Sequence, residues 1–91
     1  MDDVRDANAW YEGEVEGLGR RFQEAFFQAV AAAAENPEIY FKAYGEFRRV
    51  LLKRFPYALY FRVHGETVVF VLLFHGARQP EKLREQLRRR N

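Results

Sequence analysis

Cations crowd one stretch of the chain. Arg48, Arg49, Lys53, Arg54 and Arg62 lie in or between two apolar runs, and His75, Arg78 and Lys82 follow a third. Between Arg48 and Arg78 there is a single acid, Glu66. Positive charges fixed on a rigid scaffold suit a polyanion or an acidic partner. Guanidinium groups bind and polarise phosphate through forked donors. An imidazole is the side chain best suited to proton transfer near neutral pH, so His75 is the acid–base candidate. Tyr60, within the second run, could stack a base. Each residue also has a plainer reading. His75 could be a strand-end histidine satisfied by backbone, and Tyr60 an ordinary strand tyrosine. Arg48 and Arg54 could solvate the sheet ends or pair with helix glutamates. His64 adjoins the Gly65 turn as a structural or exposed residue, and Trp10 and Tyr11 read as packing residues.

These residues need elements to hold them. Asp3 is placed to cap a first helix, in which Val4, Ala7 and Tyr11 share one face. Gly13, Gly17 and Gly19 break that pattern. A second helix is expected from about Leu18 to Glu35, with Leu18, Phe22, Ala25, Phe26, Ala29 and Ala33 as its apolar stripe. The alanines allow close packing, and Asn36-Pro37 stops the helix. The two helices form an αα-hairpin. Residues 38–45 read as a loop. Strands follow at Phe47–Lys53, Tyr57–Val63 and Val68–His75, with turns at Arg54-Phe55-Pro56 and Gly65-Glu66. Val68–His75 is apolar on both faces, which places it inside the sheet. Pro80 opens a last helix with a thin Leu83/Leu87 stripe, and Arg88, Arg89 and Arg90 favour its C-terminus.

The order is ααβββα, an α+β fold with a helical hairpin on a twisted antiparallel three-stranded sheet. Alternation puts Val50, Leu52, Leu59, Phe61 and Val63 against the helices. It turns Arg49, Lys53, Tyr60 and Arg62 to an open, concave face, with His75 and Arg78 at its end.

Composition narrows the classes. At 91 residues one domain, 1–91, is expected. Apolar residues at 48% and aromatics at 16% fit a folded core. With no cysteine, disulfides, thiolate catalysis and cysteine-based zinc sites are excluded. Two isolated histidines and scattered acids give no metal-ligand spacing, and no cofactor motif is present. The acidic N-terminus is no signal peptide, and Val68–Phe74 is too short to cross a bilayer, so a cytoplasmic protein without a membrane partner is expected. The net charge of +2 hides an asymmetry: residues 1–46 hold 4 Lys/Arg and 10 Asp/Glu, and residues 47–91 hold 11 and 3. Charges on opposite faces do not cancel beyond a Debye length of roughly 8–10 Å.

An ordered set of residues now stands out: Trp10-Tyr11-Glu12; Gly17-Leu18-Gly19 with Phe22; Asn36-Pro37; Arg48-Arg49; Arg54-Phe55-Pro56-Tyr57; Tyr60-Phe61-Arg62-Val63; and His75, Arg78 and Pro80. From about Asp3 to Leu83 this resembles the RelE/ParE family, the plasmid-stabilisation toxins of type II toxin–antitoxin systems. The resemblance implies a growth inhibitor silenced by an acidic antitoxin that wraps it. Two activities are found in such a family. RelE-like members are mRNA interferases, endoribonucleases that cleave mRNA on the ribosome and stop translation; ParE-like members poison DNA gyrase without chemistry. The leading expectation is the endonuclease. In it, Arg49, Lys53, Arg62 and Arg78 bind and polarise the phosphate while His75 assists proton transfer. Arg48, Arg54, Tyr60 and Lys82 complete the RNA-binding surface. Gyrase inhibition, or a non-toxic relic that only binds antitoxin, is the alternative.

Three departures matter. The nuclease branch carries an arginine where this chain has Ala58. It also carries a late aromatic, and no aromatic follows Phe74 here. Family members also begin with a strand that pairs beside Val68–His75, whereas here the first helix starts almost at Met1. Either the start is truncated, or that apolar edge is covered by a partner or by a second copy in a homodimer.

Overall fold

The computed structural model describes residues 2–90. Helix α1 (Asp2–Glu14) and helix α2 (Leu18–Glu35) precede a 3-10 turn at Pro37–Ile39. Strands β1 (Lys42–Tyr44), β2 (Phe47–Leu51), β3 (Tyr57–His64) and β4 (Thr67–His75) follow, and helix α3 (Pro80–Arg89) closes the chain. The sheet runs β1-β2-β3-β4 with every neighbouring pair antiparallel. This is the expected α+β architecture with one strand more than the sequence suggested. The extra strand lies in the expected loop 38–45. A turn at Gly45-Glu46 folds Lys42–Tyr44 back on β2, and Lys42 Nζ meets the Glu46 carboxylate at 3.1 Å.

The hairpin is held by Glu12. Its carboxylate accepts the Gly17 N–H at 3.1 Å and the Gly19 N–H at 2.9 Å. Two of the N–H groups that a helix start leaves unpaired are thereby satisfied from α1, in place of a local side-chain cap. Gly17 turns the chain with φ 86°, and a Cβ on Gly19 would sit 2.6 Å from Asn8 Oδ1 and 2.8 Å from Glu12 Oε1. The spacing of Glu12, Gly17 and Gly19 is thus a requirement of helix contact.

Beyond it, Phe22, Ala25, Ala29 and Ala33 bury against the sheet residues Val50, Leu52, Leu59, Phe61 and Leu73, as the apolar stripe predicts. Tyr11, Phe22, Phe55 and Tyr57 meet edge-on or stacked at 5.0 to 6.3 Å.

The opposite face of the sheet differs from expectation. It is not open along its length, because α3 lies on it. Leu87 is fully buried there, with Leu83 beside it, against Phe47, Ala58, Tyr60, Leu72 and Phe74. The thin Leu83/Leu87 stripe is enough because it meets an apolar sheet face.

Strand β4 is also not interior. Among the described residues it is an edge strand, paired to β3 alone. Its apolar character on both faces comes from the two covers, with Leu73 facing the hairpin and Leu72 and Phe74 facing α3. Asp3 lies within α1, and its Oδ2 accepts the Leu73 N–H at 2.7 Å. Arg90, just past α3, donates from Nε to the Val71 carbonyl at 2.7 Å.

Candidate functional site

Helix α3 leaves one end of its sheet face uncovered. The gap is a groove of about 490 Å3, lined by Leu51, Tyr57, Ala58, Tyr60 and Phe74 from the sheet, Phe55 and Pro56 from a turn, and Pro80 and Leu83 from α3. Arg49, His75 and Arg78 also line it. Three of the five residues expected to be catalytic therefore share one cavity.

Two turns fix this end. The Gly76 N–H donates to the Pro56 carbonyl at 2.8 Å, tying the turn after β4 to the turn before β3. Arg54 adopts a left-handed φ of 69° in that turn, a conformation that costs a non-glycine residue about 1–2 kcal/mol. Tyr57 N–H donates to the Phe55 carbonyl at 2.8 Å and the Leu52 N–H donates to the Tyr57 carbonyl at 3.0 Å.

His75 ends β4 directly opposite Tyr57, and the rings meet edge-on at 4.9 Å. The Ala77 N–H donates to His75 Nδ1 at 2.9 Å. The Nδ1 lone pair is thereby used, and the neutral ring carries its proton on Nε2. Arg78 follows through a turn in which its N–H donates to the His75 carbonyl at 3.1 Å, and its guanidinium lies 5.9 Å from the Phe74 ring centre. Arg49 stacks over Phe41 at 4.9 Å, a cation–π contact. Burial pushes the Tyr57 hydroxyl above the usual tyrosine range, with the nearby Arg78 cation partly opposing that rise. Burial likewise raises Tyr11, reinforced by Tyr57.

The other expected site residues lie elsewhere. Lys53 and Arg54 line a separate cavity against α2, with Arg21 and Glu24, and Lys53 shares another, beside Tyr40 and Phe41, with Arg49. Strand alternation does not carry Lys53 to the α3 side, because β2 ends at Leu51 and the chain turns. Arg62 pairs with Val69, five positions along β3 from Tyr57, which is roughly 17 Å at strand rise. It is too far from His75 to act on the same phosphate, and its buried Nε has no hydrogen-bond partner. Arg48 faces the hairpin side, where Nη1 donates to the Tyr40 carbonyl at 2.6 Å and that of Glu38 at 3.4 Å. Tyr60 is 3% exposed beneath α3 and offers no ring face for a base. Lys82 is exposed on α3 outside the groove lining.

Sequence reasoning missed Tyr57. It also missed a second cavity of about 450 Å3, where Asp3, Asp6, Trp10 and Tyr11 of α1 face His75 and Arg78. Tyr57 was legible in principle from strand register opposite His75. The second cavity was not, since it depends on α1 lying along the β4 edge.

A model for the ParE toxin of the type II toxin–antitoxin system, parDE, matches residues 1–80. The chain belongs to the ParE toxin family. No curated protein and no solved structure matches it. As a ParE-family toxin it has a cognate antitoxin as its implied partner. The Ala58 departure now has a location: in this ParE-family chain Ala58 is 8% exposed and forms part of the apolar groove wall. No helix among the described residues is long and apolar enough to cross a membrane.

Proposed function

We propose that this ParE-family toxin acts by binding a protein target without chemistry, DNA gyrase being the target of the ParE-like branch of the resemblance, and that its antitoxin silences it. The observation carrying this reading is the scatter of the expected catalytic set. Lys53 and Arg62 do not reach the groove that holds Arg49, His75 and Arg78. Cleavage by an RNA 2′-hydroxyl needs a base as well as an acid. Besides His75 and the two arginines, the polar side chains lining the groove are Tyr60 and Tyr57, the latter with a hydroxyl that burial pushes above the usual tyrosine range. An apolar groove with arginines in its lining suits an apolar protein segment that carries carboxylates.

The convergence of Arg49, His75 and Arg78 favours a second reading, mRNA cleavage on the ribosome. There the arginines would hold the phosphate and His75 would assist proton transfer. Two parallel assays of the purified toxin separate the readings, one of gyrase supercoiling and one of transcript integrity on translating ribosomes. Supercoiling should stop while transcripts stay intact. Cleaved transcripts with unaffected supercoiling would sink the binding reading.

A further inference from the structure

On the β4 edge, charged side chains from α1 and from just past α3 engage backbone groups that a further strand would need. Edge strands present unpaired N–H and C=O groups and invite strand addition. On β4 two such groups are already engaged, each by a charged side chain from an opposite end of the sequence. Asp3 Oδ2 accepts from the Leu73 N–H at 2.7 Å, and Arg90 Nε donates to the Val71 carbonyl at 2.7 Å. Arg90 is itself braced by Nη1 donating to the Gln86 carbonyl at 3.1 Å, and Asp3 by Oδ1 accepting from the Val4 N–H at 3.0 Å.

The engaged groups are ones that a second copy of β4 would need. In an antiparallel pair, a non-hydrogen-bonded position is flanked by bonds from the residue after it to the residue before its counterpart. A second copy of β4 related by a two-fold axis at Leu72 would therefore bond Leu73 N–H to the other Val71 carbonyl, and the reverse. Asp3 and Arg90 occupy the Leu73 N–H and the Val71 carbonyl, two of the four groups of each copy that this pairing would use. A carboxylate and a guanidinium thus stand where the carbonyl and amide of a second β4 would sit.

We infer that Asp3 and Arg90 act as a guard that blocks β4–β4 pairing between two copies of this chain, and that removing both opens an edge-to-edge dimer. The strand is suited to such pairing: Val68–Phe74 is an unbroken apolar run without proline. This inference is independent of which target the toxin poisons.

The test is sedimentation of the full chain over a concentration series, as wild type and as the double variant Asp3→Ala/Arg90→Ala. Each lost charge-assisted hydrogen bond should favour self-association roughly tenfold, so the double variant should dimerise at far lower concentration. A double variant that associates no more than the wild type overturns the inference. Hydrogen exchange on the monomeric wild type gives a second readout that does not require the variant to fold. The Leu73 amide should be protected although it lies on a sheet edge, and rapid exchange there also overturns the guard.

Discussion

The two faces of the sheet are covered in different ways. On the hairpin side, two helices bury Phe22, Leu59 and Phe61 completely, and an aromatic cluster extends the core to the Phe55–Tyr57 turn. On the other side one ten-residue helix rests on Leu87 and Leu83. That helix covers Tyr60 and Leu72 but stops short of the sheet end, where Arg49, His75 and Arg78 gather. Burial is complete under the helical hairpin and incomplete at the end of the α3 side, where the candidate site lies. The functional candidates cluster at the unfinished end of the thinner cover, where a guanidinium can stay hydrated beside apolar surface.

Disrupting the thick face should have the largest effect. Phe61→Ala removes a fully buried ring and should cost about 3–5 kcal/mol, read by chemical denaturation. Leu87→Ala strikes the thin face and should cost about 2–3 kcal/mol. Native-state hydrogen exchange will sharpen the contrast: α3 amides should lose protection while α2 amides keep theirs. If both helices lose protection together, the two covers are one cooperative unit.

Glu12→Ala leaves two helix-start N–H groups without their carboxylate and should cost about 1–2 kcal/mol, again by denaturation. Alkaline pH probes the aromatic seam joining the two faces. Burial holds Tyr11 and Tyr57 above the ordinary tyrosine value, so the unfolded chain ionises first as pH rises. The stability these neutral hydroxyls contribute is complete below about pH 10 and is lost as pH climbs through their folded values. The double variant Tyr11→Phe/Tyr57→Phe should flatten that fall.

Arg78→Ala should have the smallest effect on stability, within about 0.5 kcal/mol, because the residue is exposed. Growth inhibition should nevertheless fall sharply. A toxic, equally stable Arg78 variant would remove the groove from the function.

The sequence was legible wherever structure depends on near neighbours. The alanine stripe of α2, the Asn36-Pro37 stop, the Arg54-Phe55-Pro56 turn and the Pro80 start all stand as read. Errors arose where two signals have the same appearance. Strand β4 is apolar on both faces whether it lies inside a sheet or at an edge between two helical layers. Tyr60 alternates with core residues whether its face meets water or α3. Of the candidate site, the arrival of His75 and Arg78 at the end of the surface that carries Arg49 was legible from the order and ends of the strands. The separation of Lys53 and Arg62 was not, because it depends on where β2 ends and on pairing register.

Residue order alone determined the helices, most of the strands, the family and the charge asymmetry, since periodicity, turn residues and motif spacing act over a few positions. Tertiary structure alone decided that α3 closes most of the second face, that Arg48 serves a backbone carbonyl, and that Asp3 reaches Leu73 across 70 positions. Those outcomes depend on which surfaces meet, and a local pattern specifies that a face is apolar without specifying what will cover it.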